Sequence, residues 1–377
     1  MIGIGEMRQL IASPFLGDFL VLKPGEPRGI KISQAAYRAL AGTEVFPDWL
    51  AAAARTAWGI DLRRQSPGNR LLIRRESDYG FGKATYELNL GCNYDCEHCY
   101  LGLKTFEGLG WPERERLLEA IRDAGVLWLQ LTGGEPMVDR LFAAVHTKAY
   151  ELGMMIEILT NGSRLANPKM LDLLTTYRPS KMSLSVYGAT AETYDGLTRR
   201  PGSFRKFMRG MTAAHEAGLQ LDLSLIITNR NAHELDLMRQ LAERFGLRHR
   251  EYANMSPTIH GGAESLPSQS PQFLRKRAPF TGCDAGHTSF HVDPFGRASI
   301  CKIGRDPSID LVREGPPGLR RLDAISDNLL RRQGGCTGCT LQGTCGTCMP
   351  LVQLYRRAKA PLATYCQHQE PRKEESQ

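Results

Sequence analysis

The chain has 377 residues, 42% of them hydrophobic and 23% charged, with a formal net charge of +8. That is apolar material for a large core and length for two or three domains, and no run of about 18 apolar residues is present to span a bilayer. The opening MIGIGEMRQLIASPF lacks the basic flank, long apolar stretch and small-residue cleavage site of a signal peptide, so the expectation is a cytoplasmic protein with no membrane partner. The positive charge is scattered in pairs such as Arg63-Arg64, Arg74-Arg75, Arg199-Arg200 and Arg331-Arg332. No recognition helix or RNA-binding signature accompanies these pairs, which speaks against a nucleic-acid partner.

In chain order, DFLVLKPGEPRGIKIS (18–33) reads as a hairpin about a Pro-Gly turn, QAAYRALAG (34–42) as a short helix closed by Gly42, and FPDWLAAAARTAWGI (46–60) as an amphipathic helix. They predict a small α+β module over 1–66, followed by the linker-like RRQSPGNR (63–70). From 67 to 260, strand-like and helix-like segments alternate. TYELNL (85–90), VLWLQLT (126–132), MMIEILT (154–160), KMSLSV (181–186), LDLSLII (221–227) and RHREYANM (248–255) read as strands. Between them, 112–124, 140–152, 168–177, 203–217 and 232–245 have apolar residues three and four apart, as in amphipathic helices. Such alternation predicts an α/β fold in which six parallel strands form a partial (β/α)6 barrel, with its chemistry at the carboxyl ends of the strands. Beyond 260 the pattern weakens into TIHGGAESLPSQSPQF (258–273) and a cysteine-rich third domain, 261–377, whose tail PRKEESQ is expected to be disordered.

The cysteines carry the chemistry. A reducing compartment disfavours structural disulfides, so ten cysteines point to metal binding or catalysis. Cys92, Cys96 and Cys99 follow the first core strand directly, in LNLGCNYDCEHCYLG. Three thiolates leave a tetrahedral zinc site one ligand short, and would equally leave one iron of a four-iron four-sulfur (4Fe-4S) cluster open to a small molecule. TGGEP (132–136) ends the second strand and LTNG (159–162) the third, so three polar loops converge on one rim.

The spacing Cys92-x-x-x-Cys96-x-x-Cys99 resembles the signature of the radical S-adenosylmethionine (SAM) superfamily, with the likeness running from about 85 to 255. The resemblance implies a 4Fe-4S cluster on the three cysteines and SAM at the open iron. It assigns the methionine amino group of SAM to Gly133, Gly134, Glu135 and Pro136, where glycines let the backbone approach and Glu135 is an acceptor. Ser183 and Ser185 in SLSVYG, with Arg199 and Arg200 beyond, match the places where relatives contact ribose and carboxylate; Tyr187 stands where the family often has Asp. Asn161 is a further SAM-contact candidate, and Asn229 in IITNRN a turn former. By the same resemblance, His98 occupies a place that is commonly aromatic in the family and makes mostly backbone contact with adenine, and it receives no proton-transfer role. Reductive cleavage of SAM would yield a 5'-deoxyadenosyl radical that removes a hydrogen atom from an unactivated substrate carbon, with flavodoxin or ferredoxin as the class of electron donor.

The remaining cysteines lie in CDAGHTSFHVDPFGRASIC (283–301), CTGCTLQGTCGTC (336–348) and the lone Cys366. Their order is similar to the SPASM extension of radical SAM enzymes. That likeness implies two auxiliary iron-sulfur clusters, one on Cys336, Cys339, Cys345 and Cys366 and the other on Cys283, Cys301 and Cys348. One departure is the two-residue gap between Cys345 and Cys348, where the family usually has three, and a zinc ribbon on Cys336, Cys339, Cys345 and Cys348 is the alternative. With all ten cysteines assigned, no thiol remains to return a hydrogen atom, which favours net oxidation over epimerisation. Lys302 follows Cys301 where sulfatase-maturating members have a basic Asp, which weighs against formylglycine formation. Tyr187, Asp284, His287, His291 and Asp293 are further chamber candidates.

The first module resembles, more weakly, the winged-helix-like PqqD-type element that captures leader peptides by strand addition; a structural cap is the alternative. The leading expectation is oxidative cross-linking of a ribosomally made precursor peptide. The alternatives are dehydrogenation of a small natural-product intermediate by the same core and, outside enzymes, a zinc-stabilised binding protein.

Overall fold

The computed structural model describes residues 9–102, 104–275, 278–331, 336–341 and 344–366. The tail 371–377 and Arg332 lie outside the described residues.

Strands Leu10–Phe15 (β1), Asp18–Leu22 (β2) and Gly29–Ile32 (β3) form an antiparallel meander. Two helices follow, Gln34–Leu40 (α1), whose first turn is capped by the Ser33 hydroxyl accepting from Ala36 N at 3.1 Å, and Asp48–Trp58 (α2). A fourth strand, Leu71–Ile73 (β4), pairs parallel to β1, giving the order β3-β2-β1-β4. The expected hairpin and both helices are present. The sequence reading missed β1, and the sheet takes its last strand from beyond the expected boundary at 66, because β1 still had a free edge to satisfy.

The next segment alternates strand and helix: Lys83–Glu87 (β5), Trp111–Asp123 (α3), Trp128–Thr132 (β6), Phe142–Glu151 (α4), Met155–Thr160 (β7), Pro168–Thr176 (α5), Lys181–Val186 (β8), Ala191–Thr198 (α6), Ser203–Glu216 (α7), Leu221–Ile226 (β9), Leu235–Arg244 (α8) and Arg248–Tyr252 (β10). β5 to β10 pair parallel in sequence order, as expected for a partial barrel. In β8, Met182, Leu184 and Val186 are buried, while Lys181, Ser183 and Ser185 are partly exposed. In β9, Leu221, Leu223 and Leu225 are buried and Asp222 and Ser224 are not. One face of each strand therefore carries the core and the other carries polar groups. α7 packs through Phe207, Met211 and Ala214; at Gly210 a Cβ would sit 2.2 Å from Gly162 O, so only glycine lets this helix lie on the loop after β7. The short α6 escaped sequence reading; its start is marked by Thr190, whose hydroxyl accepts from Thr193 N, and by Glu192 in the first turn.

The third region does not build a sheet of its own. Ser289–Val292 (β11) adds parallel to β5, and Arg297–Ser299 (β12) and Ile309–Asp310 (β13) continue antiparallel, giving nine strands in the order β10-β9-β8-β7-β6-β5-β11-β12-β13. Helices Leu311–Glu314 (α9), Leu322–Leu330 (α10) and Met349–Arg357 (α11) complete it. The segment after β10 folds back, with Ile259 N donating to Tyr100 O at 2.7 Å. Among the described residues, no helix is long and apolar enough to cross a membrane.

The first module docks through Ile11 and Leu22, which share a buried cluster with Leu127 and Met155 at the amino ends of β6 and β7. Buried Arg74 adds a donation to Val126 O at 2.8 Å. Leu22→Ala, at a fully buried position, is expected to cost about 2–5 kcal/mol by opening a cavity at this junction. The readout is a lower denaturation midpoint with faster proteolysis in the segment 63–70.

Candidate functional site

The inward strand faces and the loops at their carboxyl ends enclose a cavity of about 940 Å³. Its lining includes Cys92, Cys96, His98 and Cys99 from the loop after β5, Gly133 and Gly134 after β6, Asn161 after β7, and Ser183, Ser185 and Tyr187 on and after β8. These ten expected site residues thus share one space.

The cysteine loop is held on several sides. Tyr94 N donates to Cys92 Sγ at 3.4 Å, Asn161 Nδ2 donates to Asn93 Oδ1 at 2.9 Å, and Lys104 Nζ donates to Asp95 Oδ1 at 2.7 Å and Tyr94 O at 3.1 Å. Burial pushes the Cys92 thiol up to about 11 and raises Cys96 further, so a thiolate at either position needs compensating positive charge. Burial also lowers His98 to about 4, keeping its imidazole neutral, and its Nδ1 has no hydrogen-bond partner among the described residues. The His98 ring lies 5.3 Å from that of Tyr187.

TGGEP meets this loop backbone to backbone. Gly134 N donates to Asn89 O and Glu135 N to Gly91 O, both at 2.9 Å. A Cβ at Gly134 would fall 2.0 Å from Gly91 O, and one at Gly133 2.2 Å from Asn89 O. The glycines therefore allow close approach, but to the cysteine loop itself as well as to the cavity. Glu135 differs from expectation. Its side chain is 0% exposed and absent from the lining, with the carboxylate accepting from Asn161 N at 2.7 Å, Thr160 Oγ1 at 2.8 Å and Met137 N at 3.1 Å. Burial pushes it up to about 7 against those hydrogen bonds. It ties the end of β6 to the end of β7, and Pro136 is buried beside it in a short 3₁₀ turn.

Arg199 and Arg200 also fall outside the cavity lining, because α6 intervenes and carries them to the outer side of the cysteine loop. Arg199, 53% exposed, lies 3.5 Å from Glu97 and 3.8 Å from Asp95. Asn229 packs in a turn, donating to Ser268 O and Pro267 O.

Two features escaped the sequence reading. Polar residues at every second strand position, Gln130 and Thr132, Lys181 and Ser183, Asp222 and Ser224, Arg248 and Arg250, line the cavity. The signal was present: parallel strands covered on both faces are apolar on both, so alternation marks a face open to a chamber. The second feature is Glu87, 0% exposed at the end of β5. Arg305 grips it with both nitrogens at 2.8 and 2.9 Å, His291 Nε2 lies 3.4 Å away, and Tyr100 OH donates to it at 3.3 Å. Burial works against its ionisation, but the close approach of His291 and the hydrogen bonds from Arg305 prevail and hold it down at about 2. No motif announces a pair 218 positions apart.

Among the C-terminal cysteines, Cys301 sits at the turn after β12 with Gly304 N donating to its Sγ at 3.2 Å, Ala285 N donates to Cys283 Sγ at 3.4 Å, and Arg356 Nη2 donates to Cys336 Sγ at 3.6 Å. Cys345 is buried, and Cys339, Cys348 and Cys366 are partly buried. Among the described residues, no group of three or more His, Cys, Asp or Glu side chains is arranged to hold a single metal ion. Of the other chamber candidates, His291 is bound into the Glu87 network, His287 lies 3.2 Å from Asp327, Asp293 caps the turn between β11 and β12, and Asp284 accepts backbone hydrogen bonds through its carbonyl. Three thiols beside an unpartnered imidazole nitrogen and bare glycine backbone form a donor set that fits a thiolate-held iron-sulfur cluster with a bound nucleotide.

Residues 86–242 match the model of the Radical SAM superfamily. Over 165 residues the chain is 27% identical to the AdoMet-dependent heme synthase of Methanosarcina barkeri, covering 43% of this chain and 47% of that protein. Over 249 residues it is 25% identical to the antilisterial bacteriocin subtilosin biosynthesis protein AlbA of Bacillus subtilis, covering 58% and 54%. The chain thus spans about half the length of these curated relatives. The crystal structure of Streptococcus suis SuiB bound to precursor peptide SuiA matches with a TM-score of 0.60 at 12% identity, over 90% of this chain and 93% of that one, a likeness of fold.

Removing one partner of the Glu87–Arg305 pair strands a buried charge. Arg305→Met is expected to cost about 3–5 kcal/mol in unfolding free energy. Because Glu87 ionises at about 2 when folded and near 4.3 when unfolded, its contribution is complete above about pH 4.3 and fades as pH falls toward 2. Denaturant titrations should therefore show the advantage of the wild type over Glu87→Gln shrinking over that interval; a constant or growing advantage would contradict the assignment.

Proposed function

We propose that this chain, whose residues 86–242 match the Radical SAM superfamily model, oxidatively modifies a ribosomally made precursor peptide, forming an intramolecular cross-link. The observation that carries the reading is the single cavity shared by the Cys92, Cys96 and Cys99 thiols, the Gly133–Gly134 backbone and Asn161. When bound there, a three-thiolate 4Fe-4S cluster with SAM supplies, on reduction, a carbon radical able to take a hydrogen atom from the substrate.

The protein's share is to hold and orient. Cys92, Cys96 and Cys99 would be the cluster ligands, on a loop braced by Lys104 and Asn161. The backbone of Gly133 and Gly134 would meet the methionine part of SAM, with Glu135 acting indirectly by bracing that loop on Thr160 and Asn161. Ser183, Ser185 and Tyr187, which line the cavity with His98, would meet the nucleoside. Cys283, Cys301 and Cys348 would hold one auxiliary iron-sulfur cluster and Cys336, Cys339, Cys345 and Cys366 another, as sinks for the electron released on bond formation, in a SPASM-type region. The electron donor would be a flavodoxin or ferredoxin. Support for a peptide substrate comes from the relative named for subtilosin biosynthesis and the neighbouring fold bound to its precursor peptide. Among the described residues, the sheet β3-β2-β1-β4 leaves β3 as an edge on which a leader could add a strand, in the manner of PqqD-like elements. Likeness to a heme synthase favours a second reading, oxidation of a small molecule in the same cavity.

Replacing Cys92, Cys96 or Cys99 by Ala should abolish formation of 5'-deoxyadenosine and remove one cluster's worth of iron while the far-ultraviolet circular dichroism stays native. With the anaerobically reconstituted protein, SAM, a reductant and the precursor peptide encoded nearby, mass spectrometry should find a product lighter by two hydrogens. Normal SAM turnover by a cysteine variant would sink the cluster assignment, and an unchanged or merely isotope-exchanged peptide would sink the cross-link.

A further inference from the structure

The charges lining the cavity do not cancel. Lys104, Lys181, Arg248, Arg250 and Lys302 reach it, against the single carboxylate of Asp222 among the described residues. Three of the cations have acidic partners: Lys104 with Asp95 at 2.7 Å, Lys181 with Glu157 at 3.6 Å and Arg248 with Asp222 at 3.2 Å. Arg250 and Lys302 have no acidic partner within ion-pair distance among the described residues. The Lys302 ammonium instead stands over the Tyr100 ring, 5.2 Å from its centre. Glu87, a buried carboxylate whose charge acts on Lys302, is occupied by Arg305 and His291. The two cations come from separate elements, Arg250 from β10 and Lys302 from the turn after β12, and neither belongs to the loops after β6 and β7 that meet the cysteine loop. A concave wall concentrates such an uncancelled field on whatever enters, and charge-assisted hydrogen bonds to a carboxylate are stronger than those to a neutral amide.

Resting on the reading above, we propose that Lys302 and Arg250 form a carboxylate-recognition site in this cavity, so that the substrate segment brought to the radical centre is anionic, carrying an acidic side chain or a free chain end. Lys302 is the specificity residue of the pair, since the Tyr100 ring holds its ammonium at the cavity wall without cancelling its charge. The two cations select the residue presented; neither is given a part in hydrogen-atom transfer.

The test uses the full chain, reconstituted anaerobically with iron and sulfide and saturated with SAM, so that the carboxylate of the cofactor is already bound. The probes are N-acetylglutamate N-methylamide, its glutamine counterpart, and N-acetylalanine with a free carboxylate, titrated calorimetrically. Binding of one carboxylate probe at least about tenfold tighter than the amide is expected, the scale of one charge-assisted contact, with the advantage falling as salt is raised. The first probe winning assigns an acidic side chain, and N-acetylalanine winning assigns a chain end. Lys302→Met and Arg250→Met should each remove most of the preference with iron content unchanged. Lys302→Glu should turn it toward N-acetyllysine N-methylamide. Equal binding of acid and amide, or a preference that survives both Met substitutions, overturns the site while leaving SAM cleavage and the peptide reading standing. Weakened SAM binding in Lys302→Met also overturns it, by assigning the cation to the cofactor. Failure to assemble a cluster at Cys92, Cys96 and Cys99 in the wild type would strike the functional reading instead.

Discussion

Glu87 has no water to fall back on. It ends β5 one residue before the loop that leads to Cys92, and its carboxylate is shared among Arg305, His291 and Tyr100, three groups from three stretches of chain. An ionised carboxylate in so dry a place persists only when its partners are held with good geometry, and partners so held are themselves immobilised. The pair with Arg305 therefore fixes the turn bearing Cys301 and Lys302 against the loop bearing Cys99 and Tyr100. Without it, β11 would still add to the edge of β5, but the wall it brings to the cavity would have no defined height.

The same economy appears on the other side of the cysteine loop, where backbone replaces charge. Gly133 and Gly134 lie so close to Asn89 and Gly91 that a methyl group has no room at either position. Glu135, whose carboxylate is spent on Thr160 and Asn161, joins the ends of β6 and β7 beneath them. The rim is thus a stack of three loops, each bonded to the next. In a parallel sheet every strand delivers its carboxyl end to the same side, so residues far apart in sequence meet there.

Glu135 and Arg199 mark the limits of reading a motif residue by residue. GGEP lies on a loop beside the cysteines, yet its most chemical-looking member faces inward as a brace. Arg199 and Arg200 follow the strand that carries Ser183 and Ser185 but are turned away by α6, a short helix marked in sequence by a threonine cap and one first-turn glutamate. A motif states that a loop is present. Which side chain of that loop reaches the cavity depends on the elements flanking it.

The residues alone determined the alternation of strand and helix from β5 to β10, the two helices and hairpin of the first module, and the gathering of Cys92, Cys96, Cys99, Gly134 and Asn161 on one rim. Each of these follows from local periodicity, turn chemistry or the common direction of parallel strands, interactions reaching only a few positions along the chain. Only the tertiary structure decided that Leu71–Ile73 would complete the first sheet, that β11 to β13 would extend the second, that Glu87 would meet Arg305, and that Lys302 and Arg250 would face one cavity. Such pairings answer to free strand edges, buried charge and available volume, quantities that exist only once distant segments have met.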